Sequence, residues 1–224
     1  MTQIKTALAG RSPLERAAYS VVRNLLFAFL KVWCRVRVEG RENVPAEGLF
    51  VLAPTHRSII DTPVASTVAS RRLRFMGADK WWSNKWFGKL LTALGGFPVT
   101  RESADREALR RCLAVLETGE PLVLFPEGER KSGPIVQPMM NGAAYIAVKA
   151  GVPIVPVGIG GSEKAMPKGA RFISPRKIVA IVGMPIPVPL DESGKVPRAA
   201  VRDLSVQLHD ELQRLFDAAQ VRAG

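Results

Sequence analysis

Apolar runs bounded by glycine and proline recur along this chain, and stretches with helical spacing separate them. Residues 13–36 place Leu14, Ala18, Val21, Val22, Leu25, Leu26, Phe29, Val32 and Trp33 three and four apart, which is the period of a helix. Pro13 suits its first turn, where a missing N–H costs nothing. Residues 35–40 alternate, with Val36 and Val38 on one face, and residues 48–54 are a compact apolar run, so both predict strands. A short helix over 63–70, a strand over 73–77 and a turn with a short strand over 95–101 follow. Next come a helix over 103–117, a strand over 121–126 and a helix over 141–150 stopped by Gly151. Residues 152–157 carry two prolines, which predicts an edge strand or a bulge. A strand over 177–183 and an amphipathic helix over 197–219 complete the pattern. Strands alternating with helices, without repeat or linker, predict one α/β domain over 35–224. Its expected core is a mixed, largely parallel sheet flanked by helices, preceded by an amphipathic helical segment over 1–34.

Arg16, Arg23, Lys31 and Arg35 interrupt the first helix, whose longest uncharged run is 24–30. A bilayer span needs roughly 20 apolar residues, so a transmembrane helix is not expected. Two readings stand: a basic amphipathic helix lying in the membrane interface, or a helix packed on the domain core. Residues 80–91 hold three of the four tryptophans among lysines. That combination suits a membrane–water boundary or a cleft for a chain-like ligand, while core packing is the commoner explanation for any single ring.

The chain has 224 residues, 47% of them hydrophobic, and a formal net charge of +12. Disorder is excluded, and an anionic partner is favoured: nucleic acid, an acidic membrane surface or phosphorylated substrates. The arginines are scattered rather than gathered into a reading motif, which argues against nucleic acid. Cys34 and Cys112 lie far apart in predicted helices, so neither a disulfide framework nor a metal site is expected. No uninterrupted apolar core with a small-residue cleavage site begins the chain, so no secretory signal is expected, and a reducing compartment is the default.

One of only two histidines, His56, falls in the turn between the 48–54 strand and the 63–70 helix, with Asp61 where that helix begins. Histidine moves protons near neutral pH, and a carboxylate can fix its tautomer. The same residues fit a capping box, in which Asp61 only serves the helix beginning near Ser58. His209 sits among Val206, Leu208 and Leu212 in the last helix, where a structural or exposed role is expected.

Four segments finish strands with polar residues: Pro54-Thr-His56-Arg-Ser-Ile-Ile-Asp61, Gly96-Phe-Pro-Val-Thr-Arg101, Phe125-Pro-Glu127-Gly-Glu-Arg130 and Val152-Pro-Ile-Val-Pro-Val157. Together and in this order they resemble the blocks of the glycerolipid acyltransferases, the family that includes 1-acylglycerol-3-phosphate acyltransferase, over roughly residues 35–190. The resemblance implies acyl transfer from acyl-coenzyme A or acyl-carrier protein, as co-substrate, to a lysophospholipid hydroxyl, with no cofactor or metal. It implies His56 as general base oriented by Asp61, and Arg101 and Arg130 on the acceptor phosphate. Lys80 is a looser match to a phosphate-contacting lysine. Glu127 would hold an arginine or an acceptor hydroxyl, and Gly128 would permit the tight turn. It further implies a peripheral or monotopic place on the cytoplasmic face of an anionic membrane. Position 129 departs from the pattern, because Glu129 stands where the family carries threonine or a small polar residue. A carboxylate there repels an anion unless it points away. The competing readings are a membrane-associated basic binding protein without catalysis, and an acyltransferase for another acceptor. No Gly-x-Ser-x-Gly elbow or phosphate-binding Gly-x-x-x-x-Gly-Lys loop is present, which disfavours a serine esterase and a nucleotide enzyme.

Overall fold

Val51 and Ala53 face one side of the central sheet, Phe50 and Leu52 the other, and all four are fully buried. This is the period-2 alternation of a strand covered on both faces. The computed structural model describes residues 13–99, 106–188 and 196–224. Within them, β1 (Arg37–Glu39), β2 (Val51–Pro54), β3 (Arg74–Ala78), β4 (Gly96–Val99), β5 (Leu122–Val123), β6 (Ile154–Gly160) and β7 (Val179–Val182) form one sheet. Their order is β1-β7-β6-β2-β5-β3-β4. Every pairing is parallel except β6 with β7.

The helices are α1 (Pro13–Trp33), α2 (Asp61–Ser66), α3 (Lys85–Ala93), α4 (Arg106–Glu117), α5 (Gly142–Ala150), α6 (Ser162–Ala165) and α7 (Arg198–Ala223). Val155, Leu52, Val123 and Phe75 are register partners across four strands. They pack with Leu30 and Cys34 from the α1 side and Val64 and Ala65 of α2. Val51, Leu122 and Ile154 face the opposite way, onto Cys112 and Val115 of α4, Ile146 and Ala147 of α5, and Leu208 and Leu212 of α7. The single α/β domain with a largely parallel sheet is the expected one. No helix among the described residues is long and apolar enough to cross a membrane.

The expectation of an edge strand or bulge at 152–157 is overturned, because β6 lies between β7 and β2. Pro153 precedes the strand, so its missing N–H leaves the ladder intact, and its carbonyl accepts from Val51 N at 3.0 Å. The Pro156 carbonyl accepts from Gly183 N at 2.9 Å. Its ring nitrogen therefore faces the same side, where the β7 ladder has already ended at Val182. Both prolines sit where an interior strand tolerates them.

Residues 80–91 fold as a 3₁₀ turn, Asp79–Trp82, followed by α3. Asn84 caps that helix by accepting from Trp86 N and Phe87 N at 3.0 and 3.1 Å, the usual service of an asparagine cap. Trp82 lies inward against Gly77, Gly88 and Gly96 and donates to Thr92 Oγ1 at 2.9 Å. Trp81 and Trp86 are exposed. The three rings therefore do not share one outward face: Trp82 packs on the domain, as expected for a single ring, and the other two stay outside.

Candidate active site

Parallel strands finish on the same edge of a sheet, and here the edge gathers the turns that follow β2, β3, β5 and β6. β2 and β5 are neighbours, so the residues after Pro54 and after Val123 must meet. His56 stacks on Phe125, ring centroids 3.9 Å apart and 21° from parallel. Its Nδ1 lies 3.1 Å from Asp61 Oδ2. That oxygen also accepts from Arg57 N and Ser58 N, both at 2.6 Å. α2 begins at Asp61 itself, and its N-cap, Ile60, makes no side-chain cap bond, so the expected cap is not formed and the carboxylate is held by amides of the turn beside the imidazole. Because Oδ2 acts as acceptor, Nδ1 carries the proton, and Nε2 is left as the basic nitrogen. The His56 side chain is 15% exposed and Asp61 fully buried, so the ring alone reaches the surface.

Glu127 fixes the turn from the other strand. It is buried and accepts from His56 N at 3.0 Å and from Gln137 N at 3.1 Å. Arg57 Nη1 donates to both of its oxygens, at 2.8 and 2.7 Å. Arg57 is itself buried and also donates to the carbonyls of His56, Gly133 and Ile135 at 3.2, 3.1 and 3.0 Å. Its guanidinium lies 4.7 Å over the Phe216 ring of α7. A buried charge survives only when paired and hydrogen-bonded, and this one is both. The turn around Gly128 closes with its N–H on Phe125 O at 3.0 Å. Gly128 has φ +72, a left-handed conformation that favours glycine, and an added Cβ would lie 2.9 Å from Met140. Lys131 N then donates to His56 O at 2.9 Å, tying the two turns together.

A profile of the acyltransferase family matches residues 35–160, over half of the chain. The chain belongs to the acyltransferase family. It is 29% identical over 169 residues to the 1-acyl-sn-glycerol-3-phosphate acyltransferase of Bacillus subtilis, covering 75% of this chain and 82% of that one. It is 28% identical over 139 residues to the chloroplastic acyltransferase BAT2 of Brassica napus, covering 61% of this chain and only 40% of that longer protein. The crystal structure of the 1-acyl-sn-glycerophosphate acyltransferase PlsC from Thermotoga maritima superposes with a TM-score of 0.70 at 25% identity, covering 93% of this chain and 85% of that one. This acyltransferase is therefore an enzyme, and the non-catalytic binding protein is set aside.

The acyltransferase brings His56, Asp61, Glu127 and Gly128 into one cluster. Arg130 is half-buried next to it and has no partner among the described residues. Arg101 lies outside the described residues. Lys80 is exposed at the end of β3, its Nζ 5.7 Å from the Trp81 ring centroid. Glu129 turns to Lys131, 2.8 Å away, with over half its side chain exposed. Glu127 holds an arginine, but that arginine is Arg57, which sequence reasoning passed over. The available signal was its position inside the His56–Asp61 block. His209 is partly exposed and clamps the loop after Gly133 through Val136 O at 3.1 Å, a structural role as expected. No cluster of metal-ligating side chains occurs among the described residues.

Proposed function

We propose that this enzyme transfers a fatty acyl group from an acyl thioester, acyl-coenzyme A or acyl-carrier protein, to the free hydroxyl of 1-acylglycerol-3-phosphate, giving phosphatidic acid. The observation that carries the mechanism is His56 Nδ1 held by a buried Asp61 oxygen, in a ring that keeps some exposure at the edge and has Nε2 free as the acceptor. Nε2 takes the proton as the acceptor hydroxyl attacks the thioester carbonyl. The tetrahedral intermediate collapses, the C–S bond breaks, and the imidazolium returns the proton to the thiolate. Asp61 stabilises the charged ring between the two steps. The relatives, named as 1-acyl-sn-glycerol-3-phosphate acyltransferases, support the acceptor, and Arg130, Arg101 and Lys80 are assigned to its phosphate. Arginine suits that task through its planar fork. The outward row Val21, Leu25, Phe29 and Val32 of α1 and the exposed Trp86 and Leu90 of α3 support a peripheral place on the cytoplasmic face of an anionic membrane.

The test is thiol release from acyl-coenzyme A with 1-acylglycerol-3-phosphate in detergent. His56→Ala abolishes it with circular dichroism unchanged, and Asp61→Asn lowers kcat by roughly 100-fold or more, the range of general-base assistance. Arg130→Ala raises the acceptor KM and lowers kcat with the donor KM unchanged, since a contact that also aligns the hydroxyl acts on both. A folded His56→Ala protein with near-wild-type turnover sinks the mechanism.

A further inference from the structure

Away from His56, four basic side chains converge where several elements end. A cavity of about 430 Å³ is lined by Arg35, Lys164, Arg176 and Lys177 together with Ala223 and Gly224. β6 runs parallel to β2, so α6 lies on the same edge of the sheet as His56. Antiparallel β7 begins on that edge, and β1, parallel to β7, begins there too. With strands about 4.8 Å apart, the cavity lies roughly 10–15 Å along the edge from the His56 turn. Ser58 Oγ, donating to Met166 O at 2.6 Å, connects the two places.

Helix capping explains only part of this cluster. Lys164 Nζ donates to Gly224 O at 2.9 Å, and Lys177 Nζ donates to Arg222 O. Each contact uses one of three N–H donors. The arginines have no such duty. Arg35 makes one long contact, 3.4 Å to Pro175 O, and the Arg176 guanidinium has no partner among the described residues. Arg35 is also the one non-glycine residue with positive φ among the described residues, at +47°. Such a conformation disfavours an L side chain, yet a cation is held there. No carboxylate side chain lines the cavity, and nearby Glu39 is taken by Arg222.

The surroundings say what kind of anion fits. The exposed row of α1 ends at Trp33, whose Nε1 donates to Ile173 O at 2.8 Å, and neighbouring Phe172 is 85% exposed. Arg35 follows two residues after Trp33. We infer that this cavity takes the phosphate of an anionic phospholipid headgroup, while the α1 row and Phe172 meet its acyl chains. The inference rests on the membrane-facing reading of α1 and is independent of the acyl-transfer chemistry.

The experiment is sedimentation of the full chain with phosphatidylcholine vesicles, with and without phosphatidylglycerol. Arg35→Gln/Arg176→Gln lowers affinity for the anionic vesicles about 25-fold, at roughly fivefold per charge near an anionic surface. Affinity for the neutral vesicles stays within about twofold. Arg110→Gln/Arg198→Gln removes two exposed charges elsewhere and leaves anionic binding nearly intact. Arg176→Gln alone, at an exposed side chain, gives about a fivefold loss and serves should the double variant not fold. Equal loss in both double variants means diffuse charge and overturns the cavity, as does unchanged anionic binding in the first. A raised acyl-coenzyme A KM in detergent, where no vesicle is present, assigns the cavity to the coenzyme's phosphates and also overturns it. Wild-type turnover in that same detergent assay tests the acyl-transfer reading separately.

Discussion

Arg57 and Glu127 set the geometry of His56 without touching the ring. They hold its backbone N–H and carbonyl, and both are buried. Glu127→Gln leaves a buried guanidinium without its counter-charge, a change that costs about 3–5 kcal/mol. For a domain of this size that is a fall in Tm of roughly 6–20 °C. Arg57→Met with Glu127→Gln removes the charge from both sides, so the double variant loses less than the two single losses added. Strict additivity in thermal denaturation would show that the two residues stabilise the fold independently. His56 and Asp61 were legible because five positions across a strand-to-helix turn bring two chemically matched side chains together. Arg57 was not, since arginine is ordinarily exposed. What permits its burial is a carboxylate 70 positions away and carbonyls further still, a pairing that local pattern does not encode.

Among the elements, β6 shows the same limit. Its apolar run was read as a strand, but its prolines assigned it to an edge. Only the direction of each proline's carbonyl reveals that the missing donors lie beyond the ends of the paired ladders. Its glycines are as informative. Val157 and Ile159 fill the α1–α2 side, while Gly158 and Gly160 face α7 so closely that an added Cβ would lie 2.3 Å from the backbone carbons of Leu215 and Ala219. Gly158→Ala must push α7 away from the sheet, and a loss of about 3 kcal/mol or more is expected. Gly142→Ala is the same chemical change at the start of α5, where the nearest atom is 3.8 Å away. Helix propensity there favours alanine by about 0.5–1 kcal/mol. Urea unfolding of both variants checks the opposite signs. The 80–91 stretch had no assigned element, because its interleaved lysines and aromatics span two elements, a 3₁₀ turn ending at Trp82 and α3 beginning at Lys85.

At the scale of the molecule, the sheet separates two apolar layers with one cysteine in each. Cys34 lies in the layer of α1 and α2, Cys112 in that of α4, α5 and α7. Burial raises both thiols, that of Cys112 to about 12. Both are therefore less reactive than an exposed thiol, since thiolate is the reactive species, and burial also bars access. Native protein should leave both cysteines unmodified by a disulfide reagent, and unfolding in guanidinium should release both. With Cys34→Ser and Cys112→Ser each leaving one reporter, equal rates of labelling mean that the layers open together, and unequal rates that one opens alone. The charge balance of +12 pointed to an anionic partner from composition alone. Where the cations gather depends on β7 running against β6 and alongside β1, which places Lys177 on the same edge as Arg35 and α6.

The placement of the four indole rings makes the protein its own optical probe. Trp82 packs against glycines and is only partly exposed, whereas Trp33, Trp81 and Trp86 look outward from α1, the 3₁₀ turn and α3. Intrinsic fluorescence is therefore the sum of one emitter partly shielded from the medium and three that shift more to shorter wavelength when water leaves them. Replacing Trp33 or Trp86 singly by phenylalanine assigns that blue shift to α1 or α3, so the element that first meets a lipid surface can be timed without attaching a dye.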